Sequence, residues 1–500
     1  MKKSNYHVIL FVCIAVIIFL QYGCSKSIVE DFHIEGYGNI QTFEKLKNKI
    51  NEDRKEIIEN SKLIDISKYT ADFKNEIDMF SNEEIKNITT YKNSNNVTKE
   101  EAIKDIETAF KLLKYSYGAY EYFGGDKAFE KAEKNIINKI KSINNDNMTH
   151  NRLERLFVDE MKFIKDGHFI VGYSKPCDYQ YMYICSEYIP IYEKGNFYIE
   201  YKNGVKAQIV SINDDKEIDN YIKFTINDDG EICYGFISLF ENNDIIEIIN
   251  NMVVMYDNIE EDIQIKWNKA YDRDISKNES IYEKKIIDGI SVYCLNEMFG
   301  DENLLKEFSD SAFEAKKEKI FIIDLRGNGG GLDLYANNWF FNYTGEYPNK
   351  PISSAFKITN IGVGMNIKES EYLTEQQIEL SENGKWDISK NKGKWVENEN
   401  LIIVLIDKNV ASAGEDMIAN LRTMENVIFV GSNSAGCYLS AGNSAKYLPK
   451  SGLYINYGYG FILDNEGKSI DGIGFLPDLW VLPSEALERT LKMIEFYNLK

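Results

Sequence analysis

Proline, histidine and cysteine are scarce in this chain of 500 residues, which contains 7 Pro, 4 His and 7 Cys. The cysteines include no C-x-x-C pair, and those beyond the first 24 residues are odd in number: Cys177, Cys185, Cys233, Cys294 and Cys437. A disulfide framework and a zinc site are therefore disfavoured, and only a single Cys177–Cys185 bridge stays open.

The net charge of −21 argues against nucleic acid and against an anionic membrane surface as partners. Apolar residues make up 44% of the chain, which is ample for globular packing. The length predicts two or three domains.

The first 24 residues have the pattern of an export signal. A basic start, Met1-Lys2-Lys3, precedes the apolar run Val8 to Leu20, which is shorter than the roughly 20 residues that a spanning helix needs. Gly23-Cys24-Ser25 follows and resembles a bacterial lipoprotein cleavage site, so we expect lipidation at Cys24 and an extracytoplasmic protein. Membrane contact would then come only through the lipid anchor. Plain secretion and a retained anchor are the alternatives.

Three regions follow the signal. Residues 25–165 carry helical stripes and a capping box at Thr98-Lys99-Glu100-Glu101. Residues 166–282 are β-rich, with a hairpin signal at Lys202-Asn203-Gly204 and some likeness to a degenerate PDZ module. Residues 283–500 alternate helical stretches with buried strands such as IFIIDL, LIIVLI and NVIFV. The pattern predicts an α/β core.

Two segments after those strands could carry chemistry. DLRGNGGG, from Asp324 to Gly331, could bring backbone N–H groups close to a phosphate or an oxyanion, but it lacks the spacing of nucleotide-binding loops and could be a flexible turn. In NVASAGEDMIANLR, Ser412 opens a helix. Because Ser412 to Glu415 reads S-x-x-E, the serine could be an ordinary helix cap or a nucleophile.

Elimination leaves one histidine for catalysis. His7 lies in the signal, His33 in the early mature chain, and His150 in a polar stretch where a solvated side chain is the default. His168, in KDGHFIVGY, lies where a turn enters a strand, and it is either a structural histidine or the one available for catalysis. One usable histidine cannot build an H-E-x-x-H centre, so metal-dependent hydrolysis is disfavoured and no metal or other cofactor is expected.

Together these elements resemble the C-terminal processing (tail-specific) serine peptidase family. The likeness rests on DLRGNGGG, S-A-x-E, the Gly-Ser-Asn-Ser-Ala-Gly turn and the motif GIGFLPD, which appear in the family's order with DGH upstream. It covers roughly residues 283–482. It implies a ClpP/crotonase-like core of ββα units and a serine endopeptidase that acts on peptides or unstructured proteins.

The family's two branches differ in the base that activates the serine. The branch with a Ser–Lys dyad has a lysine after the turn at Ser434, where this chain has Cys437. The nearby Lys446 is a weak alternative. The tricorn-type branch uses a serine, a histidine and an acid, which match Ser412, His168 and Asp471. Asp471 replaces the more usual glutamate, and Gly167 stands where the tricorn enzyme has a serine.

These matches give each residue an expected role. Ser412 would be the nucleophile, His168 its general base and Asp471 the acid that orients the histidine. The Ala413 N–H and a glycine N–H from Gly329 or Gly330 would form the oxyanion hole. Glu415 would support the helix, and Arg326 would brace the glycine loop.

Two other functions compete with this one. The same core occurs in the interphotoreceptor retinoid-binding protein, and that resemblance implies apolar-ligand binding without catalysis. A scaffold whose catalytic residues never meet is the other alternative.

Overall fold

The computed structural model describes residues 40–76, 79–241, 245–270, 280–370 and 373–500. The signal segment, Cys24, His7 and His33 lie outside these residues. Eleven α-helices occur in the described part of the chain: α1 Ile40–Glu59, α2 Asn82–Thr89, α3 Lys99–Ser116, α4 Gly125–Ser142, α5 His150–Glu160, α6 Glu302–Ala315, α7 Leu334–Thr344, α8 Asn360–Val363, α9 Glu375–Glu382, α10 Ala413–Leu421 and α11 Ala486–Phe496.

Helices α2 to α5 form a helical layer near the N-terminus. Helix α3 begins as the sequence predicts, because the Thr98 hydroxyl accepts from the Glu101 N–H and the Glu101 carboxylate accepts from the Thr98 N–H. The apolar stripes of α4 and α5, including Phe129 and Phe157, are buried. They share one core with strands of the C-terminal region. A short ladder of β1 Val97–Thr98 and β2 Asn147–Met148 joins the ends of this layer.

The β-rich region is an eight-stranded antiparallel sheet in the order β5-β6-β7-β10-β11-β4-β9-β8. Its strands are β4 Gln180–Cys185, β5 Ile191–Glu193, β6 Asn196–Tyr201, β7 Val205–Ile212, β8 Ile222–Ile226, β9 Ile232–Glu241, β10 Glu247–Tyr256 and β11 Ile259–Lys269. The predicted hairpin turn joins β6 to β7, and Asn203 and Gly204 adopt the positive φ angles that it requires. The described residues of this region contain no α-helix, and the PDZ-like module stays a prediction.

The C-terminal region is built on a six-stranded sheet in the order β12-β13-β14-β17-β18-β21. Its strands are β12 Tyr282–Ile287, β13 Ile290–Leu295, β14 Ile320–Asp324, β17 Leu401–Ile406, β18 Val427–Gly431 and β21 Leu479–Trp480. All neighbours beyond the β12–β13 hairpin are parallel. The predicted α/β fold is confirmed.

Both faces of this sheet are covered, which explains why its strands are continuously apolar. Alternate side chains of β14, such as Ile322 and Phe321, enter two different cores. One core includes the eight-stranded sheet, α1 and α11. The other includes α6, α7 and α10.

A further sheet contains β15 Ile352–Phe356, β16 Asp387–Lys390, β19 Ser440–Tyr447 and β20 Tyr454–Asp464, with β3 Ile170–Val171 paired to β20. The β3–β20 pairing brings the DGH segment, which precedes β3, to the C-terminal region. Because β14, β17 and β18 are parallel neighbours, the loops after them meet at one edge of the central sheet. These loops carry DLRGNGGG, Ser412 and the turn at Ser434.

Two further findings concern the sequence expectations. Cys177 and Cys185 are both free thiols, so the bridge that the sequence left open is not formed. No helix in the described ranges has the length and apolar character needed to cross a membrane.

Candidate active site

Ser412 occupies a sharp turn between β17 and α10. Its backbone angles, φ 55° and ψ −119°, differ from the extended angles of an N-cap residue. The Ser412 N–H donates to Glu415 at 3.3 Å. The residues of a capping box are therefore in place, but of its two hydrogen bonds only the one from the Ser412 N–H to Glu415 is formed, and the hydroxyl accepts no cap hydrogen bond. A strained strand-to-helix turn of this kind exposes a nucleophilic serine in other hydrolase folds.

The glycine loop lies directly against this turn. A Cβ atom added at Gly330 would lie 2.6 Å from the Ala411 carbonyl oxygen and 2.8 Å from the Ser412 Cβ. Asn328, which is fully buried, holds the loop in place: its Oδ1 accepts from the Gly330 N–H, and its Nδ2 donates to the Leu295 carbonyl, both at 2.9 Å. Local sequence patterns could not single out Asn328, because its partners Leu295 and Ala411 lie in other segments of the chain.

Two backbone N–H groups beside Ser412 have no acceptor among the described residues. They belong to Ala413, the first residue of α10, and to the exposed Gly329. The Gly330 N–H, in contrast, is used by Asn328. The positive end of the α10 dipole adds to the attraction that this corner exerts on an anion.

Glu415 is a fully buried carboxylate that ties α10 to the turn after β18. Its oxygens accept from the Ser434 hydroxyl at 2.6 Å and from the N–H groups of Gly436 and Cys437 at 2.7 and 2.8 Å. Burial raises the pKa of Glu415, while these hydrogen bonds oppose the rise. Glu415 thus holds two loops of the site together, a role wider than support of its own helix.

The DGH segment packs on that same turn. A Cβ atom at Gly167 would lie 2.4 Å from the Cys437 Sγ, so only glycine fits there without displacement. His168 follows, and its N–H donates to Asp166 at 2.9 Å. The His168 carbonyl accepts from the Asn456 side chain at 2.8 Å. The backbone around the histidine is therefore fixed on both sides.

The His168 ring has an unused nitrogen. Its Nδ1 is buried and has no hydrogen-bond partner in the described part of the chain. Burial lowers the pKa of His168, the Lys175 cation lowers it further, and the Asp166 carboxylate opposes both. The ring is consequently neutral at neutral pH, which is the protonation state that a general base requires.

Asp166 holds the histidine segment in place, whereas the sequence pattern marked it only as part of a turn. It is fully buried, and its second oxygen accepts from the Tyr117 hydroxyl at 2.7 Å and the Ser440 hydroxyl at 2.5 Å. It therefore links α3, β19 and the histidine segment. These partners are distant in the sequence, so local patterns could not reveal the role.

Asp471 lies beside the histidine segment. Its carboxylate accepts from the Gly167 N–H at 2.7 Å and from the N–H groups of Tyr438 and Leu439 at 2.9 and 2.7 Å. The Ser469 hydroxyl also donates to it, at 2.9 Å. The predicted acid thus contacts the residue before His168, and none of these four bonds comes from the imidazole ring.

The charge state of Asp471 depends on burial. Burial and the neighbouring Asp166 carboxylate raise the pKa of Asp471 to about 8, although its bonds from Gly167 and Tyr438 act in the opposite direction. Because all its recorded partners donate to it, the hydrogen-bond pattern suits the ionised carboxylate.

The structure places Cys437, which stands where a dyad lysine would be, and the alternative Lys446 in other surroundings. Burial raises the pKa of the Cys437 thiol to about 12, so the group is a neutral thiol. Lys446 is fully buried, and its Nζ donates to the carbonyls of Gly362 and Ser444 at 3.2 Å. Both carbonyls lie outside the loops that surround Ser412.

The structure also tests what the sequence indicated for Arg326 and His150. Arg326 is buried and forms a two-bond pair with Asp324, at 2.8 and 2.6 Å, at the base of the glycine loop. This agrees with a bracing role.

His150 was expected to be solvated, and this is wrong: its Nδ1 is buried, and its Nε2 lies 3.9 Å from Glu154. Its Nε2 also lies 3.5 Å from the Ser94 hydroxyl oxygen.

No metal cluster accompanies these residues. Among the described residues, no group of three or more His, Cys, Asp or Glu side chains could hold a metal ion.

Residues 295–481 match the model of peptidase family S41. No curated protein matches the chain. Similar solved structures include mature CPAF complexed with lactacystin, with 13% identity over 80% of this chain and 99% of that chain and a TM-score of 0.43.

Two further solved structures are similar at the same level. The photosystem II D1 C-terminal processing protease has 12% identity over 79% of this chain and 97% of that chain, with a TM-score of 0.36. A putative peptidase from Parabacteroides merdae ATCC 43184 has 14% identity over 80% and 95%, with a TM-score of 0.38.

The family match identifies the class. Residues 295–481 belong to peptidase family S41, and the predicted C-terminal processing family is confirmed. The protein is a serine-type peptidase, and therefore a hydrolase. Its assignment to the tricorn-type branch stays a prediction.

Proposed function

We propose that this peptidase cleaves peptides or unstructured proteins through an acyl-enzyme formed on Ser412. The observation that carries the proposal is the strained Ser412 turn, with two unused N–H groups beside it. Strain of about 1–3 kcal/mol in a residue with a side chain persists only where the surroundings impose it, and such residues cluster at active sites.

His168 is the proposed general base. In the first step the Ser412 Oγ attacks the scissile carbonyl carbon, and its proton passes to the His168 imidazole. The C–N bond then breaks, and the proton moves to the leaving amine. Water deprotonated by the same imidazole hydrolyses the ester. The low pKa of His168 favours the neutral ring that starts this sequence.

Ala413 and Gly329 are the proposed oxyanion donors. Gly330 is the less suitable glycine, because its N–H already donates to Asn328. Losing one such donor typically costs about 10² to 10³ in rate. Gly330 instead contributes by close packing, which brings the loop against Ser412.

Asp471 is the proposed orienting acid, and its support is indirect. It holds the Gly167 N–H and so fixes the backbone that carries His168. The Nδ1 of His168 is free to accept or donate one more hydrogen bond. In the proposed mechanism, the negative charge of Asp166 stabilises the imidazolium that forms during attack, and Asp471 fixes the segment that carries the ring.

Cleavage of fluorescence-quenched unstructured peptides tests the proposal. Ser412→Ala and His168→Gln should abolish cleavage, whereas His150→Gln, which changes a half-buried histidine on α5, should preserve it. Loss of activity in all three variants, or in none, contradicts the assignment and favours the ligand-binding or scaffold alternatives. Equal rates on free and amidated C-termini would exclude selectivity for chain ends.

We also propose an extracytoplasmic location with a lipid anchor at Cys24. The support is the sequence pattern alone: a basic start, a short apolar run and Gly23-Cys24. Metabolic labelling with a fatty acid analogue should label the wild type and leave Cys24→Ala unlabelled. Equal labelling of both proteins would contradict the proposal.

A further inference from the structure

A second cavity lies away from Ser412. It has a volume of about 270 Å³ and is bounded by α1, the C-terminal half of α10 and the segment from Ser469 to Asp478. Its walls are largely apolar and include Ile58, Ile352, Leu476 and Trp480. A cavity of about 150 Å³ holds benzene. This one therefore has room for an aromatic or branched group together with a polar head.

Arg422 is the exceptional group in this cavity. Its side chain lies between the rings of Phe429 and Phe475, at 5.7 and 5.8 Å from their centres. One nitrogen donates to the Leu476 carbonyl at 3.2 Å. No carboxylate of the described chain forms an ion pair with it, although a guanidinium has five N–H donors. Burial and the Arg54 cation lower the pKa of Arg422 to about 10, while the Asp478 carboxylate opposes the fall.

The other cations around the cavity have partners. Three ion pairs surround it: Arg54 with Asp478, Lys350 with Asp416, and Lys468 with Glu466. Asp464 also lines the cavity, but its Oδ1 accepts from the N–H groups of Glu466 and Lys468 and it forms no ion pair with Arg422. A buried Nε of Arg54 also lacks a partner among the described residues. The Oδ2 atoms of Asp53 on α1 and Asp416 on α10 lack one as well, so Arg422 differs from its neighbours by having no ion pair within the described chain and not by a general excess of donors.

We propose that this cavity binds a small apolar carboxylate, with its aromatic or branched group against the apolar walls and its carboxylate on Arg422. In an apolar, partly enclosed site, a guanidinium and a carboxylate attract each other by charge and can form two parallel N–H···O hydrogen bonds. The ligand is either a free acid or the terminal residue of a peptide, since both present the same chemistry. The proposal does not depend on the chemistry at Ser412.

The cavity shares its wall with the catalytic framework. Tyr438 and Ser469 line it and donate to Asp471, and Phe475 lines it and donates to the Ser434 hydroxyl at 2.7 Å. A ligand that orders this wall would consequently order the groups that hold the His168 segment. Occupancy of the cavity should therefore change the rate of peptide cleavage by the active enzyme.

Isothermal titration calorimetry on the full-length Ser412→Ala protein tests the proposal without cleavage. The probes are 3-phenylpropionate and its neutral analogue 3-phenylpropanamide. We expect the carboxylate to bind at least about tenfold more tightly than the amide, as a charge-assisted pair requires. Arg422→Gln should remove this preference, and the exposed Arg152→Gln should retain it.

A peptide arm distinguishes the two sources of carboxylate. If a tetra-alanyl-leucine peptide with a free C-terminus displaces 3-phenylpropionate and its amide does not, the ligand is a chain end. If only the free acid binds, it is a small metabolite-sized acid. Equal affinity for 3-phenylpropionate and its amide overturns the proposal, as does unchanged binding in Arg422→Gln or no binding by a folded protein.

A second variant tests the same site if Arg422→Gln does not fold. Arg422→Lys keeps the cation but loses the fork geometry. It should weaken 3-phenylpropionate severalfold and leave the amide unchanged, and equal affinities in Arg422→Lys and the parent would contradict the assignment.

Discussion

Gly330 and Ser412 are packed so closely that a methyl group at the glycine would lie 2.8 Å from the serine Cβ. Gly330 also has a φ of 97°. Gly327, in the same loop, has a φ of 80° but nothing within 4 Å of an added Cβ. Alanine variants of the two glycines therefore distinguish the effect of backbone strain, which both would have, from the effect of contact with Ser412, which only Gly330 would have.

Gly330→Ala should lower kcat/KM by about 10²-fold, because the displaced loop misplaces the oxyanion donor. Gly327→Ala should cost about 1–2 kcal/mol of stability through its left-handed conformation, with kcat/KM nearly unchanged. Peptide hydrolysis and denaturant unfolding of both variants provide the measurements. Similar losses of kcat/KM in the two would show that contact with Ser412 is irrelevant.

Ser412→Ala should lower activity and leave stability nearly unchanged, whereas Ser81→Ala should lower stability and leave activity unchanged. Ser81 is an N-cap with extended backbone angles, and its hydroxyl accepts from the Glu84 N–H at 3.3 Å. Its loss should cost about 1 kcal/mol of stability and no activity. Ser412→Ala should reduce kcat by about 10⁴-fold or more with little change in unfolding. If Ser412→Ala instead destabilised like Ser81→Ala and stayed active, Ser412 would be a cap alone.

The pH profile should report the surroundings of His168. Because burial lowers the pKa of His168, the acid limb of kcat/KM should have its midpoint below the ordinary histidine value of about 6.5. Asp166→Asn removes a carboxylate that raises this pKa and should move the midpoint to lower pH. Lys175→Gln removes a cation that lowers it and should move the midpoint upward. Shifts in the same direction would exclude His168 as the titrating base.

Lys446→Met should change the pH dependence of stability and leave catalysis intact. Burial lowers the pKa of Lys446 to about 7. Between pH 7 and 10 the unfolded chain binds a proton that the folded chain does not, so the free energy of unfolding should rise with pH. The slope is about 1.4 kcal/mol per pH unit, and Lys446→Met should lack it. If the free energies of unfolding of the wild type and Lys446→Met changed with pH in parallel, a neutral Lys446 would be contradicted. Loss of peptide cleavage in Lys446→Met would instead favour the Ser–Lys dyad.

Local patterns in the sequence predicted the elements well. The Thr98 capping box, the Lys202-Asn203-Gly204 turn and the apolar strand β17 all appear where they were expected. Each of these features depends on residues close to one another in the chain. Backbone preference and the periodicity of apolar residues are enough to specify them.

The site's supporting contacts could not be predicted in this way. Asp166 joins Tyr117 to Ser440, and Arg54 pairs with Asp478 across most of the chain. Such partners are chosen by the packing of whole layers, which a single sequence does not display. The S-x-x-E pattern was ambiguous for the same reason, because the main partners of Glu415 lie beyond β18.

Labelling with a fluorophosphonate probe tests the central assignment most directly. The wild type should be labelled at Ser412, and both Ser412→Ala and His168→Ala should abolish labelling while circular dichroism shows each variant folded. A folded wild-type protein that takes up no probe, or a His168→Ala variant labelled at the wild-type rate, would contradict an activated Ser412–His168 pair.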